Sequence, residues 1–347
     1  MARIIGEAYS FDDVLIVPKY NKVKSRRNVN FRTKVTRNYF INIPILAASM
    51  DTICESKMAI AIGKLGGLGV IHRFLTIEEQ AKQVDEVKQN NLITAAAIGI
   101  KDLEARVRAL NDVGVNILVL DIAHGHSKYA GKSVDYIKEN YPRLDVMAGN
   151  IATKDAAEYF LNKGADAVKV GIGPGATCTT RKMTGFGIPQ ITAIMDVYEA
   201  TQGRIPICAD GGIREPGDLV KAIGAGADAI MSGYLFAGTE EASGETVMKR
   251  KKIFKIYRGM ASYDATMKKI EIDGKTKDSI ISIEGKKILV PYKGSIKKII
   301  EEFLGGLASG MTYMGASEIE QLKGKADFYY VTSAGRKENT AENIEEF

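Results

Sequence analysis

Short apolar runs alternate with amphipathic stretches along most of this chain. Runs with the length and β-branched content of strands fall at 43–48, 69–71, 95–98, 117–120, 145–148, 167–170, 206–209 and 229–231. Stretches with helical spacing lie between them, at 56–65, 77–88, 103–111, 134–139, 154–162, 191–200 and 217–223. Ile117-Leu118-Val119-Leu120 has no polar position at all, the pattern of a strand buried on both faces of a parallel sheet. Eight strand–helix units predict an α/β fold, a closed (β/α)8 TIM barrel forming one domain over 1–347. Two segments fall outside the repeat. One is 1–42; the other, about 235–295 and rich in Lys, Asp and Gly, reads as a mobile flap inserted after strand eight. Residues 296–307 read as the closing helix and 336–347 as a charged, frayed tail.

A barrel builds its active site from the loops at the carboxyl ends of its strands. Here those loops hold Ser49-Met50-Asp51, His72-Arg73, Gly99, Asp121 with His124, Gly149-Asn150, the stretch 171–181, Asp210-Gly211-Gly212 and Ser232-Gly233-Tyr234. Polar and glycine residues converge on that face. Composition leaves an ordinary globular class, with 45% apolar and 26% charged residues. A net charge of +6, with mostly interspersed signs, favours small anionic ligands over a nucleic-acid groove. Three cysteines without metal spacing point to a reducing compartment, and neither a leader nor a run long enough to span a membrane is evident, so the expected location is the cytoplasm.

The densest chemistry lies in Gly171-Ile-Gly-Pro-Gly-Ala-Thr-Cys178-Thr-Thr-Arg181. Alternate glycines expose backbone groups, and Cys178, flanked by hydroxyls and close to Arg181 in sequence, is the candidate nucleophile. Gly171-x-Gly173-x-x-Ala176 imitates a dinucleotide fingerprint, but no helix of the required kind follows it, and that match is rejected. Asp210-Gly211-Gly212 with Gly233-Tyr234 sits where barrels hold a phosphate on backbone N–H groups, and Asp210 is placed to accept from ribose hydroxyls. His124-x-His126 lacks a third ligand at a recognisable spacing; Cys208 and Cys54 read as core; Lys249-Arg250-Lys251-Lys252 reads as a solvated edge.

Taken together, Phe11-Asp-Asp-Val-Leu15, Gly171-Ile-Gly-Pro-Gly175 with Cys178-Thr-Thr-Arg181, Asp210-Gly-Gly212, Tyr257-Arg-Gly-Met260, Glu284-Gly285 and Val290-Pro-Tyr-Lys-Gly294 resemble the IMP dehydrogenase and GMP reductase family. The resemblance spans almost the whole chain. It implies that Cys178 attacks C2 of a purine nucleotide to give a thioimidate, that Asp210 holds the ribose, and that Gly212, Gly233, Tyr234 and Tyr257 hold the 5′-phosphate. Met260, Glu284 and Gly285 would face the base, with Met50, Gly211 and Gly259 completing the substrate set. Ser25, Arg26, Arg73, Asp121, Ile172, Gly173 and Thr312 match cofactor positions, and the carbonyls of Gly173, Gly175 and Cys178 match a monovalent-cation site, usually K+. A homotetramer is also implied.

The two activities of the family differ in what else happens at C2. Dehydrogenases carry an Arg-Tyr pair in the flap to activate water and usually an inserted regulatory module between strands two and three; 261–283 contains no arginine, and 77–92 runs directly into Thr94. Reductases protonate departing ammonia through a Thr and a Glu, matched by Thr180 and Glu284. On these grounds the expectation is GMP reductase, converting GMP and NADPH to IMP and ammonia. IMP dehydrogenase is the alternative, and a non-catalytic nucleotide-binding barrel a third reading. Ala176 replaces a phosphate-binding Ser, Tyr257-Arg-Gly-Met260 is spelled as in dehydrogenases, and Ile280-Ile281 replaces a reductase Tyr-Arg pair.

Overall fold

The computed structural model describes residues 2–272 and 283–338. Eight parallel strands close into a barrel, labelled here β1 (Ile45–Ala47), β2 (Leu68–Ile71), β3 (Ala95–Ile98), β4 (Ile117–Asp121), β5 (Asp145–Ile151), β6 (Ala167–Val170), β7 (Ile207–Asp210) and β8 (Ala229–Ser232). Neighbours pair in chain order, and β8 returns to β1 through Ile230–Ile45 and Met231–Leu46. The outer ring holds α1 (Ser56–Lys64), α2 (Ile77–Lys88), α3 (Leu103–Asp112), α4 (Lys128–Asn140), α5 (Lys154–Asn162), α6 (Gln190–Thr201), α7 (Pro216–Ala225) and α8 (Ile296–Tyr313). A capping box starts α2: Thr76 Oγ1 accepts from Glu79 N–H at 3.2 Å, while the Glu79 carboxylate accepts from Thr76 N–H at 3.0 Å. Only a few residues then separate α2 from β3.

Because strand side chains alternate, one set meets the helices and the other fills the barrel. Leu46, Val70, Ala97, Val119, Met147, Ala167 and Cys208 belong to the interior cluster, which Val35 and Ile41 extend from an antiparallel hairpin (Thr33–Lys34 with Phe40–Ile41). Continuing the same alternation upward puts Asp121 above Val119, Lys169 above Ala167 and Asp210 above Cys208. Charged groups therefore cap an apolar interior at the carboxyl mouth. A register shift between Gly149 and Ile151 marks a bulge in β5 and re-aims Asn150.

The segment expected as a flap contains regular structure. Thr246–Lys249, Lys252–Arg258 and Lys287–Pro291 form a three-stranded antiparallel sheet, with a helix at Tyr263–Ile272. Residues 273–282 of that segment, and most of the expected tail, 339–347, lie outside the described residues. A further strand pair, Val14–Ile16 with Phe328–Tyr330, joins the two ends of the chain. No described helix is long and apolar enough to cross a membrane.

Candidate active site

A cavity of about 320 Å³ opens at the carboxyl mouth of the barrel. Cys178, Thr180, Glu284, Met50, Asp210, Gly211, Gly212, Gly233, Tyr234, Tyr257, Gly259, Met260, Arg73, Asp121, Ile172, Gly173 and Gly175 all line it. Gly285 abuts it, its Cα 3.1 Å from where a Cβ on Gly259 would stand. Ser25, Arg26 and Thr312 do not line it: the short helix Arg26–Asn28 packs on α8, the helix that carries Thr312.

The thiol loop is held by the segment that follows the described flap helix. Thr179 N–H donates to Glu284 O at 2.8 Å and Lys286 N–H to Thr177 O at 2.9 Å, an antiparallel bridge of Cys178 with Gly285. That bridge brings a carboxylate from 104 residues beyond Thr180 up to the thiol loop: Thr180 Oγ1 lies 3.1 Å from Cys178 Sγ and donates to Glu284 Oε2 at 2.7 Å. Arg181 is not the thiol's partner, because its guanidinium donates to Ile188 O at 2.8 Å. Cys54 and Cys208 are buried, and burial pushes both thiols up, as befits core residues.

At the other end of the cavity, Gly211 and Gly212 both adopt positive φ, +88° and +84°, a turn that only glycine makes without strain. A Cβ on Gly171 would stand 2.1 Å from the Asp210 carbonyl oxygen, so the first glycine of the thiol loop is required by close approach to β7. The Tyr257 hydroxyl lies beside Gly233, and burial pushes its pKa up to about 12, keeping the phenol a proton donor. Arg214, two residues beyond Gly212, adds a guanidinium that sequence reading passed over.

The principal residue missed is Lys169. It is 1% exposed, and its ammonium meets Asp121 Oδ1 at 2.9 Å, Asp210 Oδ2 at 2.6 Å and the Asn150 side-chain oxygen. Burial disfavours the charge, but the two carboxylates outweigh it and hold the lysine protonated well above its ordinary range. Asp121 responds in the opposite sense: burial pushes it up, yet Lys169, Arg73 and a hydrogen bond from Ser49 bring it below the usual carboxylate range. The available signal was a lone Lys within Ala167-Val-Lys-Val170, a run otherwise apolar, since a buried cation demands partners. His124 and His126 find no third ligating side chain among the described residues.

The profile of the IMP dehydrogenase / GMP reductase domain matches residues 8–342. The chain belongs to this family. Its members are oxidoreductases that act on purine nucleotides, and so is this chain. It is 40% identical to the inosine-5′-monophosphate dehydrogenase of Borreliella burgdorferi, over 99% of this chain and 98% of that protein. It is 36% identical to the enzyme of that name from Cryptosporidium parvum and 34% to that from Aquifex aeolicus, each alignment covering 98% of this chain and 96% of the relative. These names overturn the expectation of GMP reductase, for relatives 33–40% identical over nearly the full length are called IMP dehydrogenase. The physical reason is that the discriminating signs were weak. A hydroxyl–carboxylate pair can take a proton from water as readily as give one to ammonia, so Thr180 and Glu284 do not favour the reductase, and a missing arginine removes one base without removing every base.

Proposed function

We propose that this chain is an IMP dehydrogenase, oxidising IMP to XMP with NAD. The observation that carries the reading is the contiguous Cys178–Thr180–Glu284 chain at 3.1 and 2.7 Å inside the cavity, considered with the names of the relatives. In this reading the Cys178 thiolate adds to C2 of the hypoxanthine ring, and C2 gives up its hydrogen as hydride, leaving a thioimidate. NAD supplies the acceptor for that hydride. Water then adds to C2, passing a proton to Thr180 Oγ1 as the Thr180 proton moves to Glu284. Collapse of the adduct expels the thiolate and frees XMP, so IMP, NAD+ and water give XMP, NADH and a proton. Arg258, the arginine nearest in sequence to the arginine-free stretch 261–283, is bound to Asp51 and is not available as base.

Gly212, Gly233, Tyr257 and Arg214 supply the phosphate with donors, and Asp210 takes the ribose. The cofactor fits beside them: Arg73 has a buried Nε with no partner among the described residues, next to the Asp121 carboxylate. A second groove at the same rim, lined by Ile100, Lys101, Tyr129 and Lys132, suits the far end of a dinucleotide. K+ fits the carbonyls of Gly173, Gly175 and Cys178; Gly175 O accepts only the Cys178 N–H, at 3.0 Å, among the described residues. Ser25, Arg26 and Thr312 would serve a neighbouring subunit in a homotetramer, which light scattering on the eluted protein would register. The deciding test gives the protein IMP, NAD+ and K+ and follows NADH absorbance near ~340 nm with XMP by chromatography. Steady NADH with equal XMP is expected. Binding of IMP without turnover would replace this reading with the non-catalytic barrel.

A further inference from the structure

Lys169 stands between two subsites rather than within one. Its carboxylate partners come from different strands, Asp121 at the tip of β4 and Asp210 at the tip of β7, and the proposed function gives the first to the cofactor and the second to the nucleotide ribose. All three donors of the ammonium are used, by Asp121 Oδ1, Asp210 Oδ2 and Asn150 Oδ1. Asp210 Oδ2 is doubly committed, since Asn150 Nδ2 also donates to it at 2.9 Å, while the Asn150 amide is itself fixed to Gly171 O at 2.7 Å. Oδ1 of Asp210 accepts no hydrogen bond among the described residues, and Asp210 lines the cavity.

We propose that Lys169 is a positioning residue that couples nucleotide binding to cofactor binding, sharing one buried positive charge between Asp210 and Asp121. The inference rests on the IMP dehydrogenase reading for the identity of the two ligands. Hydrogen bonds from ribose hydroxyls to Asp210 reduce that carboxylate's demand on the ammonium. The charge then serves Asp121 more fully and holds it in place for the cofactor. By linkage the effect is reciprocal, so each ligand tightens the other by the same factor, and couplings of this kind are worth about fivefold or more.

The test uses Cys178→Ala protein, which binds without reacting, and titration calorimetry of NAD+ with and without saturating IMP. A tightening of about fivefold or more is expected in the Lys169-containing protein, and a ratio near one in Lys169→Met. Equal weakening of both affinities in Lys169→Met with the ratio preserved would make the lysine merely structural and overturn the proposal. Asp121→Asn, nearly isosteric, answers the same question should Lys169→Met fail to fold. Removing a negative charge would by itself tighten an anionic nucleotide, so the quantity read is again the ratio of NAD+ affinities with and without saturating IMP, which should fall to near one because the lysine no longer has two carboxylates to share its charge. A tightening of about fivefold or more retained in Asp121→Asn refutes it. Wild-type protein assayed in parallel separates the two ideas: turnover of IMP with no Lys169-dependent coupling removes this inference alone, and failure to bind IMP removes both.

Discussion

In the proposed reaction Cys178 and Glu284 divide the chemistry between them, and single substitutions would separate the halves. Cys178→Ala should abolish turnover yet still bind IMP, because the residues proposed for the phosphate and ribose lie after β7 and β8 and on the sheet strand Lys252–Arg258. Nucleotide binding by fluorescence titration beside the NADH assay checks this. Glu284→Gln should leave the first hydride transfer largely intact but slow hydrolysis by about 10²–10⁴-fold, giving a burst of NADH near one equivalent followed by a slow steady rate. Equal slowing of burst and steady phases would mean that Glu284 chiefly binds the base. Cys54→Ala and Cys208→Ala should keep the chemistry and lose stability only, by about 1–3 kcal/mol in denaturant unfolding. At this scale the sequence pointed to many of the loop residues that line the cavity, where glycines and hydroxyls are conspicuous, though not to their roles. It was a poor guide to Lys169, whose meaning comes from two carboxylates 48 and 41 residues away.

Among the elements, the sheet after β8 is tied to the barrel by a buried ion pair. Arg258 Nε donates to Asp51 Oδ2 at 3.0 Å and Oδ1 at 3.2 Å, and the Asp51 side chain is fully buried. That pair ties the strand Lys252–Arg258 to the loop after β1, with Tyr257 and Met260 on either side of Arg258. Asp51→Asn should therefore cost about 3–5 kcal/mol, the penalty of stranding a buried charge, and raise KM for IMP more than it lowers kcat. Urea unfolding with steady-state kinetics measures both; an unchanged KM would confine the pair to stability. The eight strands were legible because each is a short apolar run closed by polar residues. The hairpin at 249–252 was not. Its turn residues Arg250 and Lys251 have φ of +49° and +62°, values that Asn-Gly usually signals, so a basic run hid a turn. Helix α4 begins at Lys128, six residues before its expected start, because Ser127 caps it through the Ala130 N–H at 3.3 Å and Gly131 near its start weakened the helical pattern.

At the level of the whole molecule, a further buried pair lies away from the carboxyl mouth: Lys323 Nζ meets Asp228 Oδ1 at 2.8 Å, and the Asp228 carboxylate also accepts from Ile207 N–H at the start of β7. Burial disfavours the Lys323 charge, but Asp228 and Glu320 outweigh it and raise the ammonium above the ordinary lysine range. A raised lysine contributes its full stabilisation below the unfolded value of about 10.4 and loses it as pH climbs through the folded value. In that window unfolding free energy should fall by about 1.4 kcal/mol per pH unit for each such lysine. Melting curves between about pH 9 and 12 should decline more steeply for wild type than for Lys323→Met, and equal slopes would exclude the linkage. The strand pair joining Val14–Ile16 to Phe328–Tyr330 bears on how the chain is made. During synthesis from the amino end, the earlier strand emerges more than three hundred residues before its ladder partner, and Asp13 waits still longer for Arg336. A ribosome-bound chain halted before Phe328 should thus leave an apolar edge open to chaperones, and release should close it in the last seconds of translation at about 5–20 residues per second.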